Sequence, residues 1–386
     1  MKEYKLSQLL EIKNGKDHKE LPDGEYPVFG SGGVMRFVNE YLYDKPSILL
    51  PRKGSLDNIQ YCDVPFWTVD TLYYTVVNEE LANPYFLYRY LKLLDLSRLD
   101  SGTGVPSMTF DSYYGIKVML PKIEEQKRIA SVLQKLDAKI KLNCQINDNL
   151  EAMAKQLYDY WFVQFDFPNE EGKPYKSSGG EMVWNEKFKR EIPQGWSNGV
   201  LFDVANITMG QSPDGSSYNE DGEGIIFYQG STDFGLRFPD IRQYTTSPSR
   251  YANKGDILMS VRAPVGALNI ANNDCCIGRG LSALSSKMGS MTHLYYLMND
   301  FRLKFEGMNS AGTTFGSITK DELFSLPVII PTKSVITEFE QVCEPIFDKQ
   351  MIIGEEINAL TKQRDELLPL LMNGQASVNY HLSKCL

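Results

Sequence analysis

The sequence predicts an α+β protein with two tandem β-rich α/β domains, each followed by a long helix. Three observations support this fold class: an internal repeat, short β-like runs between turn signals, and a seven-residue apolar period that follows each copy of the repeat. Each helix needs an apolar partner, and the other helix carries the same period. We therefore expect the two helices to pack as an antiparallel coiled coil with internal pseudo-twofold symmetry.

The repeat relates residues that lie 210 positions apart, as Gly102 and Gly312 do. Residues 6–15 also parallel residues 201–210, so the duplication covers whole domains rather than one motif. The matched pairs are Gly102/Gly312, Thr103/Thr313, Ser107/Ser317, Thr109/Thr319, Asp111/Asp321, Val118/Val328 and Pro121/Pro331.

Short strands are predicted at residues 47–50, 67–69 and 72–77, because β-branched and aromatic residues there lie between turn signals. A helix is predicted over residues 84–94, with Asn83 as its N-cap and Pro84 as its first residue.

The run Asn83-Pro84-Tyr85-Phe86 resembles a motif with which adenine methyltransferases hold a flipped base. Its second proline is missing, and the matching place in the second copy reads Met291-Thr292-His293-Leu294. We interpret Asn83 and Thr292 as helix-start signals, so a catalytic role is the minor hypothesis.

The seven-residue period predicts two long helices, at residues 122–163 and 332–374, each about 60 Å long at 1.5 Å per residue. Pro345 is expected to kink or restart the second helix. Asn143 either lies buried in the seam, where it fixes register, or faces water at an overwound position. The predicted seam positions are Ile129, Leu136, Asn143, Leu150 and Leu157, then Phe339, Ile346, Ile353, Leu360 and Leu367.

The remaining divisions follow from composition. The two β-rich domains span residues 1–121 and 197–331. Residues 164–196 are rich in Pro, Gly, Ser and charge, which predicts a linker ordered at its ends. Residues 375–386 form a short tail.

Several functional classes are disfavoured. Net charge is −9 with a pI near 5.1, which argues against a lone non-specific nucleic-acid binder. We find no phosphate loop, zinc-protease motif, nucleophile elbow or paired CxxC, and a structural or solvated role is expected for His18, His293 and His381. No signal peptide or membrane span is evident, and six unpaired cysteines fit a cytoplasmic protein. We expect no catalytic residue, bound metal or cofactor in this chain.

Loops that carry small residues beside arginines are the candidate binding sites, because arginine can bridge guanine O6 and N7 or pair with phosphate. Arg52 and Arg262 each follow a matched Ile-Leu strand, and a structural ion pair is the equally weighted alternative for both. The candidates are Ser31, Arg36, Arg52, Lys53, Ser55, Thr103 and Ser107 in the first copy, and Ser231, Arg262, Arg279, Thr313, Thr314 and Ser317 in the second.

Taken together, these features resemble the specificity subunit of type I restriction-modification systems. The resemblance covers nearly the whole chain. It rests on the repeated Gly-Thr…Ser-x-Thr…Pro pattern, on residues 122–130 (KIEEQKRIA), on Tyr160-Trp161-Phe162, and on residues 172–180 (GKPYKSSGG). Residues 333–336 (KSVI) depart from the usual Glu-Glu-Gln run of that family, which puts one partner contact in doubt.

The resemblance implies a non-catalytic DNA-recognition subunit. Each β-rich domain would be a target recognition domain for one half of a bipartite, asymmetric sequence in double-stranded DNA. The helices would set the spacer and dock two modification subunits, and two restriction subunits could join the complex. S-adenosylmethionine, ATP and magnesium are expected on those partners.

Two other classes stay open. A duplicated scaffold that binds protein or glycan is the alternative, and its binding would hardly respond to salt, whereas DNA binding would weaken steeply. An enzyme acting alone would have to methylate or cleave DNA without partners, which we do not expect.

Overall fold

A computed structural model describes residues 1–96, 106–310 and 316–378, without the side chains of residues 307–310. The chain forms two compact units. The first unit contains Met1–Leu142 and Asn358–Leu386, and the second contains Asn143–Ile357. Each unit therefore combines one β-rich part with portions of both long helices.

The first unit is built on small sheets covered by short helices. Its sheets have the strand orders β1-β9, β2-β8-β5-β6 and β4-β3-β7, and β3 pairs with β7 in parallel. The elements are β1 (Lys2–Lys5), α1 (Leu6–Leu9), β2 (Leu10–Asn14), β3 (Asp23–Gly30), β4 (Gly33–Val38), β5 (Ser47–Pro51), β6 (Gln60–Cys62), β7 (Trp67–Thr68), β8 (Leu72–Val77), α2 (Pro84–Lys92), α3 (Phe110–Tyr114), β9 (Lys117–Leu120) and α4 (Ile123–Tyr158).

The second unit repeats this order after a hairpin. Its sheets have the orders β10-β11, β12-β22, β13-β21-β18-β19 and β14-β16-β15-β20-β17, and β15 pairs with β20 in parallel. The elements are β10 (Met182–Asn185), β11 (Arg190–Pro193), β12 (Ser197–Val200), α5 (Leu201–Val204), β13 (Ala205–Met209), β14 (Tyr218–Asn219), β15 (Ile225–Tyr228), β16 (Tyr244–Thr245), β17 (Tyr251–Ala252), β18 (Ile257–Ser260), β19 (Leu268–Ile270), β20 (Cys275–Ile277), β21 (Leu281–Ser286), α6 (Met291–Ser310), α7 (Lys320–Phe324), β22 (Pro327–Ile330) and α8 (Lys333–Met372).

Residues that match in the repeat perform the same structural task twice. Thr109 caps α3 by accepting a hydrogen bond from the Ser112 amide, and Thr319 caps α7 in the same way. Val118 and Val328 are buried in the strands that follow. The predicted strands at residues 47–50 and 72–77 are confirmed by β5 and β8.

The helix that follows β8 begins as predicted, and its counterpart does not. Asn83 caps α2 with its side-chain oxygen, which accepts from the Phe86 amide at 3.0 Å, so this residue does structural work. In the second copy the prediction that Thr292 marks the start was wrong. Ser290 is the cap, since its hydroxyl accepts from the His293 amide at 3.0 Å, and Thr292 is buried inside the first turn.

The two long helices are continuous. α4 has 36 residues and passes into a π-helical turn at Asp159–Val163, and α8 has 40 residues. The restart that was one of the two outcomes expected at Pro345 does not occur, because α8 runs unbroken through this position. The proline is exposed, so the carbonyl that loses its backbone donor can be satisfied by water.

Within each unit the helix portions run antiparallel. In the first unit Ile129 and Leu133 of α4 share a core with Leu368 and Leu371 of α8. In the second unit Ala154 and Tyr158 pack with Phe339 and Cys343. Most of the buried positions follow spacings of three, four and seven residues over much of each helix: 126, 129, 133, 136, 143, 147, 154 and 158 in α4, and 336, 339, 343, 350, 353, 357, 368 and 371 in α8.

Of the ten predicted seam positions, five are buried, four are half-buried, and one needs correction. Leu367 is 37% exposed, whereas its neighbour Leu368 is 7% exposed and joins the first core. A straight helix drifts about 20° per seven residues, so the buried position shifts by nearly one residue after four heptads. The buried positions are Ile129, Leu136, Asn143, Phe339 and Ile353, and the half-buried ones are Leu150, Leu157, Ile346 and Leu360.

Asn143 lies in the seam rather than facing water. Its side chain is 2% exposed, and its amide donates to Glu356 Oε2 on α8 at 2.9 Å. A polar pair in an otherwise apolar stripe favours one register over its neighbours.

Buried and half-buried polar groups tie each β-rich part to both helices. In the first unit Asp137 of α4 accepts from Tyr85 and Arg89 of α2 and from Arg364 of α8. In the second unit Arg237 donates to Gln350 of α8 at 3.1 Å, and Gln350 donates to Glu151 of α4 at 2.9 Å. Charges that are partly or fully removed from water are costly to leave unpaired, so these contacts hold each part in a defined position.

The linker is more ordered than predicted. β10 and β11 form a hairpin, and Phe165, Phe167 and Trp196 are buried in an aromatic cluster with Tyr158 and Phe162. Aromatic packing outweighs the polar composition that suggested order only at the ends.

Candidate nucleic-acid interface

Four loops meet at one edge of the first unit, which we name the first loop edge (residues 29–33, 51–55, 69–71 and 106–109). Backbone hydrogen bonds join them in sequence. The Val69 amide donates to the Phe29 carbonyl, the Arg52 amide to Thr71, and the Met108 amide to Arg52, at 2.9–3.0 Å. The loop backbones are therefore fixed relative to one another.

The second unit builds the same frame from residues 228–233, 261–264, 278–280 and 316–319, which we name the second loop edge. Here the Gly278 amide donates to the Tyr228 carbonyl, the Val261 amide to Gly280, and the Ile318 amide to Val261, at 2.8–3.0 Å. The bonds correspond one for one to those of the first edge.

This correspondence changes the expected pairing of Arg52 with Arg262. Lys53 forms an isolated β-bridge with Ser107, and Arg262 forms the same bridge with Ser317. Arg262 is therefore the counterpart of Lys53, whereas Arg52 matches the buried Val261.

The basic side chains of both edges are exposed or half-exposed. Lys53, Arg262 and Arg279 are exposed, and Arg52 donates to the backbone carbonyl of Asp70 at 3.3 Å. Across residues 1–96, 106–310 and 316–378, none of the four lies within ion-pair distance of a carboxylate. Among the described residues this disfavours the structural ion pair as the role of Arg52 and Arg262.

Arg36 lies elsewhere. It is on β4 and donates to the Leu21 carbonyl at 3.0 Å and to Asp23 Oδ1 at 2.6 Å. These bonds stabilise the β3–β4 hairpin, so Arg36 is not grouped with the other candidates.

The hydroxyl candidates lie on the loops themselves. The Ser31 carbonyl accepts from the Asn58 side chain, and the Ser55 carbonyl accepts from the Asn58 amide. Ser231 opens a 3-10 turn at Ser231–Asp233. Ser107 and Ser317 stand at the bridges described above. Thr103, Thr313 and Thr314 lie outside the described residues, as does His381.

Sequence reasoning missed Asp70, an exposed residue of the first loop edge, and Asn58 and Gln60, which donate to the Ser31 and Gly30 carbonyls behind it. A signal for Asp70 exists, because it follows the strand Trp67–Thr68 just as Arg279 follows Cys275–Ile277. Asp70 and Arg279 do not lie 210 positions apart, so an alignment of the two copies at that offset does not pair them.

Other chemistry is sparse among the described residues. They contain no group of three or more His, Cys, Asp or Glu that could hold a metal ion. Within the same residues no helix has the length and apolar character to cross a bilayer. His293 is buried against Tyr158 and Phe162, and burial lowers its pKa to about 3, which suits a neutral packing role.

Comparison with known families decides the identity of this architecture. Residues 1–152 and 193–366 match the family described as type I restriction modification DNA specificity domain. The chain belongs to this family. Its members are recognition components, so this chain supplies DNA specificity and does not carry out catalysis.

Individual relatives agree. The chain is 32% identical over 313 residues to a putative type I restriction enzyme MjaX specificity subunit from Methanocaldococcus jannaschii, with 78% of this chain and 70% of the relative covered. It is 24% identical over 387 residues to the HindI specificity subunit of Haemophilus influenzae, covering 81% and 82%.

One solved structure shows the same fold. The crystal structure of an S subunit of a type I restriction-modification system from M. genitalium superimposes with a TM-score of 0.64 at 18% identity, and 96% of each chain is covered. The predicted α+β class and two-domain architecture are confirmed.

Proposed function

We propose that each loop edge recognises one half of a bipartite, asymmetric sequence in double-stranded DNA. The observation that carries this proposal is the frame built twice: the same hydrogen bonds hold loops whose exposed side chains differ between the copies. A shared frame gives both domains the same approach to a duplex, and different side chains give each its own base contacts. In this arrangement residues 1–121 and 197–331 are the two target recognition domains.

The long helices are proposed to form an antiparallel coiled coil that sets the spacer between the half-sites. The buried stripes and the Asn143–Glu356 bond support such pairing. Helices of 36 and 40 residues span about 54 and 60 Å. This length suits half-sites separated by a helical turn of DNA or somewhat more, about 34 Å. A pseudo-twofold axis would relate the two domains.

Two modification subunits are the proposed partners of the helices. Exposed apolar residues recur there with the same 210-residue offset, since Tyr160 matches Leu370 and both are at least 36% exposed. In the second unit Tyr160 lines a cavity of about 750 Å³ with Met153 and Leu157. Exposed apolar surface of this kind typically marks a protein interface.

The modification subunits would also explain how an acidic chain takes part in DNA binding. With a net charge of −9 this chain is a poor phosphate binder, so the modification subunits would supply most contacts to the DNA backbone. They would carry S-adenosylmethionine and methylate adenine. Restriction subunits, if added, would bring ATP and magnesium. The complex would act in the cytoplasm.

Methylation mapping tests this function. The chain is expressed with its modification subunit in cells that lack other adenine methylation, and modified sites are mapped. A bipartite motif with one adenine modified in each half is expected. Absence of any such motif would contradict the proposal.

Salt separates DNA recognition from the alternative of a scaffold that binds protein or glycan. Binding of the purified complex to its duplex should weaken by orders of magnitude between 50 and 200 mM salt, roughly 10³-fold when several phosphates are contacted. Binding that ignores salt would favour the scaffold.

A further inference from the structure

One position of the loop edges carries opposite charges in the two copies. Val69 and Gly278 both donate to the end of the parallel strand beside them, and Arg52 and Val261 donate to Thr71 and Gly280. The residue between these anchors is Asp70 in the first unit and Arg279 in the second. Both side chains are exposed.

The backbone beneath Arg279 is rigid. Its amide donates to Ser212 Oγ at 3.2 Å. Gly278 and Gly280 are buried on either side, and a Cβ on Gly280 would lie 2.7 Å from the Gln229 carbonyl oxygen. Only glycine fits in that space, so the turn presents one side chain, Arg279, from a fixed place. Pre-organisation of this kind lowers the entropic cost of binding.

The opposite charges indicate what this position faces. A carboxylate is repelled by a DNA phosphate, so a place occupied by Asp70 in one copy is unsuited to a backbone contact. Base edges accept both charges, because a guanidinium bridges guanine O6 and N7 and a carboxylate accepts from the cytosine amino group. Among the described residues neither side chain has an oppositely charged partner within ion-pair distance.

We propose that Arg279 is a specificity-determining residue that recognises a guanine in the half-site read by the second unit, and that Asp70 is its counterpart for a cytosine in the other half-site. This inference rests on the proposed DNA-recognition function. It assigns the base class at one position of each half-site.

The test uses the complete complex with its modification subunit. Methylation motifs are mapped for the wild type, Arg279→Ala, Arg279→Lys and Asp70→Ala. The control is Arg242→Ala, an exposed arginine of the same unit whose 3.7 Å contact with Asp240 gives it a partner. Arg279→Ala should relax one guanine position in one half-site, with discrimination falling on the order of tenfold to a hundredfold.

The other variants sharpen the assignment. Arg279→Lys keeps the charge but loses the planar fork, so it should relax the same position. Asp70→Ala should relax a cytosine in the other half-site, and Arg242→Ala should leave the motif unchanged.

The outcomes separate this inference from the proposed function. A wild-type complex that yields no bipartite motif contradicts the function itself. If a motif exists but Arg279→Ala keeps every position equally strict, only the inference fails. Equal weakening on all sequences would show that Arg279 contacts phosphate and would overturn the inference as well.

Discussion

The two loop edges share a backbone and differ in charge. Lys53, Arg52 and Asp70 project from the first, whereas Arg262 and Arg279 project from the second, where Val261 replaces Arg52. The hydrogen bonds that the two edges have in common join main-chain atoms, so the exposed side chains can change without disturbing the shared frame. The two copies thus share the backbone frame of the loop edge, and the exposed side chains on that frame differ between them.

The largest expected effect comes from exchanging one edge entirely. Replacing residues 1–121 with the corresponding domain of a relative should change one half-site completely and leave the other intact, because each frame closes within its own unit. Methylation mapping of the chimaera measures this. A change in both half-sites would show that the edges do not act independently.

A change between the units should alter spacing without altering either half-site. Seven residues inserted after both Leu142 and Ile357, where the two units divide, should lengthen the spacer by up to about three base pairs, since a heptad adds roughly 10.5 Å. The motif is read out by methylation. As a control, inserting seven residues in α4 alone mismatches the helices and should abolish activity. An unaltered spacer in the double insertion would exclude the helices as its determinant.

The proposed docking surface of each unit should be possible to disrupt without affecting that of the other unit. Tyr160→Glu and Leu370→Glu each place a charge on an exposed apolar position of a different unit, so each should weaken binding of one modification subunit by at least about tenfold. Native mass spectrometry counts bound subunits, with Gln145→Glu, an exposed position on α4, as the control. Full occupancy in both variants would place the docking surface elsewhere.

The smallest expected effect is a pH dependence of stability that arises in the second unit from His293. His293 follows the cap Ser290 by three residues, as Phe86 follows the cap Asn83 in the first unit, and phenylalanine cannot titrate. Burial holds the pKa of His293 near 3. The unfolded chain binds this proton near pH 6.5 and the folded chain does not, so stability is full above pH 6.5 and falls as pH drops below it. Between pH 7 and 5 the loss is about 2 kcal/mol.

Urea unfolding of the wild type and His293→Gln at the two pH values measures this difference. The variant should lose less stability on acidification than the wild type does. Equal pH dependence in the two proteins would show that His293 is not buried as a neutral ring.

Sequence patterns captured what depends on local chemistry. The Asn83 cap, the strands at residues 47–50 and 72–77, and the long helices follow from residue type and spacing. The match of Lys53 to Arg262 could not be obtained that way, because it is set by bridges to Ser107 and Ser317 on distant segments. Tertiary pairing, not propensity, decides such register.

Two misplacements have the same origin. A strict heptad marks Leu367, but helix geometry and the first core select Leu368. Thr292 has a capping side chain, yet Ser290 takes that role, and its hydroxyl also bonds Glu340 on α8. In both cases residue type and spacing do not distinguish two nearby positions. A contact with a residue distant in the sequence determines which of the two takes the role.

The hydrophobic core of the first unit includes residues from the C-terminal part of the chain. Leu368, Leu371 and Met372 complete a cluster whose other members precede residue 134. During translation about 215 residues must be added between Leu142 and Asn358, which takes roughly 10 to 40 s at 5–20 residues per second. For that interval Ile129 and Leu133 lack their apolar partners from α8, so the first core stays incomplete until α8 is synthesised.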